Sequence, residues 1–400
     1  MKKLHLIYSL ILLLNLSACR EDERVFLSDS VQVTLPVVGT RIKGFYQLNE
    51  GNMGMNRASL DYFDYTTGYY TRDIFSERNP DIVKELGDVG NDIQVYGQKV
   101  YAVINVSNLI VVFDVRTARR IKEIEVPLYS SAASDVYKRQ EIEVPNCRYL
   151  AFYKDKAYVS SYAGPVQIDP NAEVGFVAEI DTASLEVTRK VSVGYQPEEM
   201  VVYDGKLYVA NSGGYRVPNY DRTVSVVDLK TLNETKKIDV GINLHRMAID
   251  KRGDIYVSSR GDYRNVPPNL YVIDSKIDAV KSCLDIPVGG MWMSGDSLYY
   301  YSVAYAAVSG NNKVTYGILD TRTKKQITDR IITDGTDKEI MIPYGIAVNP
   351  ETKEILMSDA QNYVVTGFVY CFSLEGKLKW KTEGGNIPGH FVFVTQGLLQ

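Results

Sequence analysis

The sequence predicts an all-β protein, a seven-bladed β-propeller whose blades are four-stranded antiparallel sheets. Two observations lead to this prediction. A cassette of four short strand-like segments recurs along the chain, and no segment shows the sustained 3.6-residue apolar periodicity of a long helix. The cassette occurs seven times, at a spacing that is typical of propeller blades.

The composition is that of a folded domain. Of the 400 residues, 45% are hydrophobic and 24% are charged, which excludes a disordered or collagen-like chain. The formal net charge is −4 and no basic stretch alternates with aromatic residues, so we expect no nucleic-acid partner. The histidines and cysteines show no CxxC or HxxxH spacing, so we expect no metal site. Cys147, Cys283 and Cys371 are predicted to be buried thiols rather than disulfide partners.

Residues 1–18 have the pattern of a bacterial lipoprotein signal peptide. Lys2 and Lys3 precede an apolar run, 4–16, that is too short to span a bilayer as a helix. The run is followed by Ser-Ala and Cys19, and a small residue before a cysteine is what lipoprotein processing requires. We expect lipidation of Cys19, and a plain secretory signal with a chance cysteine is the alternative.

Residues 19–42 are predicted to form a lipidated tether and a strand-like lead-in. The acidic stretch 20–23 resembles the export signal that sends some lipoproteins to the outer face of the Gram-negative outer membrane, and a solvated tether is the alternative explanation. We therefore expect a protein anchored to the outer membrane through its lipid and facing the cell exterior.

Residues 43–400 are predicted to form the propeller. In each cassette the third strand ends at an aspartate followed by a turn, and these residues set the register of the blades. They are Asp64, Asp114, Asp181, Asp228, Asp274 and Asp320, with Ser373 in the seventh position. The alternating strand 390–394 has no blade of its own, so a terminal segment is predicted to pair with the blade at the other end of the chain. The run 31–38 is a second candidate for this role.

One interval in the repeat is unusually long. Asp114 and Asp181 are 67 residues apart, whereas the other intervals are 46 to 53. The pentapeptide Glu-Ile-Glu-Val-Pro occurs at 123–127 and again at 141–145, and LYSSAASDVYKRQ lies between the two copies. We interpret 128–140 as an artefactual insertion without function, because removing one copy and the spacer restores the usual interval. A genuine surface insertion is the alternative.

The loops predict a binding surface on one face of the ring. The loops between second and third strands concentrate Tyr, Asn, Arg and Gly, whereas the turns on the opposite face are short and charged. Tyrosine rings, amides and guanidinium groups suit a binding surface, although turn formation alone accounts for part of the Gly and Asn content. The predicted ligand-binding residues are Asn52, Tyr162, Asn211, Tyr215, Arg216, Asn219, Tyr220, Arg246, Arg260, Tyr263, Arg264, Tyr305, Tyr344 and Tyr363.

The connections between blades are expected to add side chains at the inner rim. Six residue pairs occupy the same position, next to the first strand of a blade. They are Asn91–Asp92, Arg148–Tyr149, Glu198–Glu199, His245–Arg246, Met291–Trp292 and Pro343–Tyr344. Residues at this position point toward the central channel of a propeller, and packing or solvation at the rim is the alternative role for each.

No motif in the sequence supports catalysis. The chain has no GxSxG elbow, P-loop or GxGxxG in a strand-to-helix context, so we predict that the protein is not an enzyme and uses no cofactor. Glu198 and Glu199 with Asp92, or His245 beside Arg246, are generic acid–base arrangements, which leaves a propeller lyase or lactonase as an alternative. A glycan-binding or adhesive surface-layer propeller is a further alternative.

The mature chain resembles the YncE-type propellers. The resemblance rests on the lipoprotein signal, on Leu-Tyr-Val-Ala-Asn at 207–211, on Val-Val-Asp-Leu-Lys-Thr-Leu at 226–232 and on the seven copies, and it covers roughly 43–394. The surface lipoproteins of this group include BtuG-like proteins, which capture vitamin B12 beside a TonB-dependent transporter. The resemblance implies capture of a corrinoid on the long-loop face and its transfer to such a transporter. A corrin edged with carboxamides and carrying a phosphate suits Asn, Arg and Tyr side chains.

Overall fold

The computed structural model describes residues 28–82, 85–127, 145–306 and 311–398. Within these ranges, only the backbone is described for residues 304–306 and 311–312. The predicted signal peptide 1–18, the predicted lipidation site Cys19 and the predicted insertion 128–140 lie outside the described residues. Seven antiparallel sheets form the blades of a ring. Their innermost strands contact one another in sequence around the axis and return to the first, so the ring is closed.

Blade 1 contains strands from both ends of the described chain. From the outer edge to the channel its strands are β1 (Asp29–Gln32), β4 (Tyr69–Arg72), β3 (Ser59–Asp64), β2 (Ile42–Asn49) and β29 (Pro388–Thr395). The final strand is therefore the innermost strand of the first blade.

Each of the other blades consists of four consecutive strands, the first lining the channel. Blades 2 to 4 comprise β5 (Gly90–Tyr96), β6 (Lys99–Ile104), β7 (Leu109–Asp114), β8 (Arg120–Glu125), β9 (Asn146–Tyr153), β10 (Lys156–Tyr162), β11 (Val174–Asp181), β12 (Val187–Tyr195), β13 (Pro197–Tyr203), β14 (Lys206–Asn211), β15 (Thr223–Asp228) and β16 (Asn233–Asp239). Blades 5 to 7 comprise β17 (Leu244–Ile249), β18 (Asp254–Ser259), β19 (Asn269–Asp274), β20 (Ala279–Cys283), β21 (Gly290–Ser294), β22 (Ser297–Ala306), β23 (Asn311–Asp320), β24 (Lys325–Thr328), β25 (Pro343–Val348), β26 (Ile355–Asp359), β27 (Thr366–Phe372) and β28 (Leu378–Asn386).

Helix is confined to short connections in the described part of the chain. It comprises the five-residue helix α1 (Ile74–Arg78) and the single 3-10 turns Thr336–Lys338 and Gln396–Leu398. None of the helices in the described ranges is long and apolar enough to cross a membrane.

The predicted fold and register are confirmed. All six predicted aspartates are the last residues of third strands, and Ser373 follows the end of β27. The carboxylate of Asp228 shows why an aspartate recurs there. Its Oδ1 accepts hydrogen bonds from the backbone N–H and the hydroxyl of Thr231, at 2.8 and 2.9 Å. The side chain thereby satisfies the polar groups of the turn that leads to the fourth strand.

The core is divided among the interfaces between neighbouring blades. Each of seven large apolar clusters joins side chains of two adjacent blades. The cluster between blades 7 and 1 contains Phe45, Phe63 and Trp380, and the rings of Phe63 and Trp380 have centroids 5.1 Å apart. Second and third strands supply most of these residues, while the fourth strands lie at the solvent edge. The propeller is therefore stable only as a complete ring, because each blade buries its faces against two neighbours.

Both terminal segments proposed for ring closure pair with blade 1, on opposite edges. Strand β29 pairs with β2 and places Phe393 opposite Phe45, within the core. Strand β1 pairs with the outer strand β4, and all four of its residues are exposed. The inner strand closes the ring, whereas the outer one extends the sheet into the predicted lead-in 19–42.

One expectation about the cysteines is wrong. Cys147 and Cys371 are buried free thiols, as predicted, but Cys283 is exposed. Cys283 ends β20, an outer fourth strand whose face toward solvent has no further strand to cover it.

Candidate functional site

The loop face of the ring opens into a cavity around the central axis, which we call the mouth cavity. It has a volume of about 410 Å³, it is open to solvent, and all seven blades contribute to its wall. A narrower space of about 70 Å³, the inner channel, continues along the axis. Arg246, Tyr301, Tyr344 and His390 border both spaces, so they form the floor of the mouth cavity.

At the rim of the mouth cavity, several blades contribute a residue from the same position in the loop after the second strand. In five blades, the residue four positions after the end of the second strand reaches the cavity. These residues are Met53, Val166, Tyr215, Tyr263 and Tyr363. Four of the loops turn two positions after the strand through a left-handed residue. These residues are Gly51, Gly213, Gly261 and Gln361, with φ of 74°, 51°, 66° and 56°. In these four blades the early turn precedes the residue that reaches the cavity, which is a methionine in one blade and a tyrosine in the other three.

Tyr263 and Tyr363 are held at the rim by the same local device. Both have left-handed backbones, with φ of 61° and 65°. In each loop a side-chain oxygen of the preceding residue accepts hydrogen bonds from the backbone N–H groups that follow the tyrosine. The acceptor is Asp262 Oδ1 in one loop and Asn362 Oδ1 in the other. A left-handed conformation costs a bulky residue roughly 1 kcal/mol. The two exposed rings are thus maintained in a strained, fixed position.

One side of the mouth cavity is basic, and we call the residues Arg148, Arg246, Arg260 and His245 the basic wall. Arg148 donates to Glu198 Oε2 from Nε and Nη2, at 3.1 and 3.0 Å. Arg260 Nη1 reaches the other oxygen of the same carboxylate at 3.5 Å. Tyr162 also donates to this oxygen, at 2.6 Å. Two arginines and a tyrosine therefore share a single buried carboxylate.

Tyr149 joins the members of the basic wall. The guanidinium groups of Arg148 and Arg246 lie 5.8 and 5.3 Å from its ring centroid. Its hydroxyl is 3.0 Å from His245 Nε2. Burial raises the pKa of Tyr149 to about 12, and burial together with the nearby arginines lowers the pKa of His245 well below its ordinary value. His245 is therefore neutral at physiological pH.

A second carboxyl beside the basic wall has an unusual pKa. Glu199 Oε2 accepts a hydrogen bond from the N–H of Met247 at 2.7 Å, and Glu199 Oε1 lies 3.8 Å from Arg246 Nη1. Burial raises the pKa of Glu199 to about 7, although Arg246 and this hydrogen bond act in the opposite direction. Glu199 thus changes its charge near neutral pH.

The other side of the mouth cavity is acidic and hydrogen-bonded. Glu50 accepts from the hydroxyl of Tyr344 at 2.8 Å and lies 3.2 Å from His390 Nε2. Asp92, at the edge of the inner channel, accepts from the N–H of Leu150 at 2.8 Å, and burial raises the pKa of its carboxyl. The carboxylate of Glu50 therefore lies on the side of blade 1, across the ring from the arginines. Asp92 borders the inner channel together with Arg246 and Glu199.

Six of the fourteen predicted ligand-binding residues line the mouth cavity together. They are Tyr215, Arg246, Arg260, Tyr263, Tyr344 and Tyr363. Two others are turned into the protein. Asn211 is 0% exposed and bonds to Thr223 and Ser225, and Tyr162 is 1% exposed beneath Arg148.

The remaining predicted residues lie beside the cavity or outside the described side chains. The guanidinium of Arg216 stacks on Tyr195 at 3.6 Å from the ring centroid. Asn52 donates a hydrogen bond to the carbonyl of Tyr363 and so connects the rim loops of blades 1 and 7. Asn219, Tyr220 and Arg264 belong to the rim loops of blades 4 and 5 but do not border the cavity. Tyr305 has a described backbone in β22, and its side chain lies outside the described residues.

Several cavity residues were absent from the sequence-based set. Arg148, Tyr149 and His245 had been assigned only to the inner rim, a placement that the structure confirms. Glu50, Tyr301 and His390 were not singled out. His390 occupies in β29 the position that the six rim pairs occupy in the other first strands, so alignment of the ring-closing strand with those strands would have found it. Tyr301 lies in a continuous strand and carries no such signal.

The described side chains include no group of three or more His, Cys, Asp and Glu residues arranged to hold a metal ion.

Comparison with curated proteins finds no match. The family described as a domain of unknown function (DUF5074) matches residues 43–393. The chain belongs to this family. The match spans all seven blades, so in this DUF5074 protein the family domain and the propeller are the same unit.

Solved structures similar to this DUF5074 protein include two enzymes or enzyme-like proteins. A quinoprotein alcohol dehydrogenase-like protein from Bacteroides thetaiotaomicron aligns with a TM-score of 0.58 and 16% identity, over 88% of this chain and 78% of the other. Hydrazine synthase from Kuenenia stuttgartiensis aligns with a TM-score of 0.52 and 13% identity, over 72% of this chain and 77% of the other. At such identities the likeness shows the propeller fold alone.

Proposed function

We propose that this protein is an outer-membrane surface lipoprotein that captures a corrinoid in the mouth cavity and passes it to a TonB-dependent transporter. The observation that carries the proposal is the cavity itself. Its volume of about 410 Å³ lies within the roughly 300–1,000 Å³ typical of ligand sites, and it is open to solvent on the loop face. A disc-shaped ligand larger than this volume can therefore rest across the open rim, with part of the ligand inside the cavity.

The groups around the cavity match the surface of a corrinoid. Tyr215, Tyr263 and Tyr363 offer rings at the rim, where a broad disc would lie against them. The arginines of the basic wall offer polar partners for carboxamides. These groups stand on or next to strands of a closed ring, so little conformational entropy is lost when a ligand binds. Binding of this kind requires no covalent step, which supports a capture protein rather than an enzyme.

The amino-terminal sequence supports the proposed location. The predicted signal peptide ends just before Cys19, and Asp29, where strand β1 begins, is only ten positions further along the chain. Even fully extended, such a segment spans only about 35 Å. A lipid on Cys19 would keep the propeller within reach of a transporter in the same membrane.

Titration with cyanocobalamin tests the proposal. The double variant Tyr263→Ala with Tyr363→Ala removes two rim rings that take no part in the buried ion pairs. Tyr69→Ala is a matched control, because Tyr69 and Tyr363 are both 43% exposed but Tyr69 lies on the outer strand β4 of blade 1. We expect calorimetry to show saturable binding by the wild type, a loss of about 1–3 kcal/mol of binding free energy per rim ring, and no loss in the control.

Two results would contradict the proposal. Absence of heat with the wild type at micromolar ligand excludes corrinoid capture, and binding of an oligosaccharide instead would identify a glycan-binding propeller. Equal losses in the rim variant and the Tyr69→Ala control would place the ligand outside the mouth cavity.

A further inference from the structure

We propose that the basic wall of the mouth cavity is a subsite for a phosphoryl group of the ligand. The subsite consists of the guanidinium groups of Arg246 and Arg260, with Arg148 and His245 beside them. The inference rests on the proposed function in placing the ligand in this cavity. It adds the chemical class of the group that the ligand must carry and the direction in which it enters.

The first argument is that Arg246 has donors without acceptors. Its side chain is only 17% exposed, and its guanidinium makes no hydrogen bond to another side chain or backbone group in the described residues. The nearest carboxylate oxygen, Oε1 of Glu199, lies 3.8 Å from Nη1, which is beyond hydrogen-bond distance. Arg246 nevertheless lines both the mouth cavity and the inner channel. A buried guanidinium with five N–H donors requires acceptors, and the cavity is the space from which they can come.

The second argument is the balance of charge. Arg148 and Arg260 share the single carboxylate of Glu198, so one positive charge of this pair is not neutralised within the cluster. Arg246 faces Glu199, whose carboxyl is about half protonated at neutral pH because its pKa is near 7. The basic wall therefore carries a net positive charge in a partly desolvated site. An anion placed there would restore the balance.

The third argument concerns the shape of the anion. The guanidinium groups of Arg246 and Arg260 come from β17 and from the loop that follows β18, and Arg148 comes from β9 in another blade. A carboxylate presents two oxygens in one plane, which suits one arginine fork. A phosphoryl group presents oxygens in several directions, which suits donors that approach from different blades. A corrinoid that retains its nucleotide tail carries such a phosphodiester.

The direction of entry follows from the opposite wall. Glu50 follows strand β2 of blade 1, across the ring from blades 4 and 5, and would repel an anion there. A ligand with a phosphoryl group at one end is thus oriented with this end toward blades 3 to 5, and its neutral, amide-edged part faces the acidic side.

The first experiment measures binding of inorganic phosphate, with malonate, a dicarboxylate of comparable charge, as the comparison anion, both at constant ionic strength. We expect saturable phosphate binding by the wild type and weaker binding of malonate. Arg246→Gln and, separately, Arg260→Gln should weaken phosphate binding about tenfold or more. Arg322→Gln is the matched control, because Arg322 is an arginine paired with an aspartate, Asp320, in a turn on the opposite face. The inference is overturned if phosphate does not saturate, if both variants bind it like the wild type, or if malonate binds equally well.

The second experiment separates the subsite from the proposed function. Cyanocobalamin carries the nucleotide phosphate, and dicyanocobinamide is a corrin that lacks it. We expect Arg246→Gln to lose about tenfold or more in affinity for cyanocobalamin and little for dicyanocobinamide. Equal losses for both corrins overturn the phosphoryl subsite while corrinoid capture stands. Phosphate binding that depends on Arg246, without binding of either corrin, refutes corrinoid capture and supports the subsite.

Discussion

Tyr149 and His245 connect two blades that are not neighbours. Tyr149 belongs to blade 3 and His245 to blade 5, and the Tyr149 hydroxyl lies 3.0 Å from His245 Nε2 across the inner edge of blade 4. When its proton is on Nδ1, the neutral imidazole accepts at Nε2 from the tyrosine hydroxyl, and the direction reverses when the proton is on Nε2. The contact joins two residues around which the arginines of the basic wall are arranged.

The buried imidazole predicts a pH dependence of stability. The groups facing His245 are Tyr149, Arg148, Arg246, Arg260 and, more distantly, His390, and the lowered pKa means that the folded state does not take up a proton. Below pH 6.5 the unfolded state gains a proton that the folded state lacks, so the wild type should lose stability as the pH falls. Denaturant unfolding between pH 7.5 and 5 measures this, and His245→Gln should lose less over the same range. An identical pH profile for the two proteins would refute the assignment.

Glu199 predicts a pH dependence of binding near neutrality. Its pKa of about 7 means that it is mostly charged at pH 8 and mostly neutral at pH 6. Arg246, Asp92 and Glu198 are the charged groups that act on it. Repulsion between Glu199 and a bound phosphodiester is weakest when Glu199 is protonated, so the affinity for cyanocobalamin, whose phosphodiester keeps its charge over this range, should rise from pH 8 to pH 6. Calorimetry with Glu199→Gln should show a flat profile, and a steeper profile in this variant would contradict the prediction.

The two terminal strands should differ in importance. Strand β29 is largely buried and closes the ring, whereas β1 is exposed at the outer edge of the same blade. A chain ending at residue 387 should fail to fold or should aggregate, because the inner edge of β2 and the adjoining core are exposed. A chain beginning at residue 33 should remain folded with a small loss of stability. Circular dichroism and gel filtration measure both, and a folded monomer without β29 would contradict the closure described above.

Replacing the strained rim tyrosines by glycine should raise the stability of the fold and weaken ligand binding. Tyr263→Gly and Tyr363→Gly each remove a bulky residue from a left-handed backbone, which should stabilise the fold by up to about 1 kcal/mol. Each should also weaken cyanocobalamin binding, because a rim ring is lost. Thermal unfolding and calorimetry on the same samples test both effects. Loss of stability together with unchanged binding would show that the rings serve packing alone.

The duplicated segment should be dispensable. Residues 128–140 lie outside the described residues, but the strands on either side of the long interval, β8 and β9, are complete members of blades 2 and 3. Deleting 128–145 leaves one copy of the pentapeptide between them, so we expect the thermal midpoint to stay the same or to rise. A large fall would show that the segment is a structural part of the blade connection.

Much of the architecture could be predicted from the sequence, because a propeller repeats the same strands and turns in every blade. The aspartate that ends each third strand satisfies its own turn, so Asp64 and Asp320 could be placed without knowledge of any distant contact. Tyr215, Tyr263 and Tyr363 were expected on the loop face from their position in the loops, and the structure places all three in the wall of the mouth cavity. Their role in ligand binding stays a prediction.

Contacts between blades could not be obtained in this way. The sequence did not distinguish the inner terminal strand from the outer one, because both alternate alike and only packing decides which faces the channel. Tyr162 and Asn211 looked like rim residues by position, but the first lies beneath Arg148 and the second bonds within its own blade. The local repeat thus determines the blades and the loops, while the closure of the ring decides which polar groups share a cavity. Charge sharing and desolvation on the basic wall depend on distances across blades, and only the tertiary structure sets those distances.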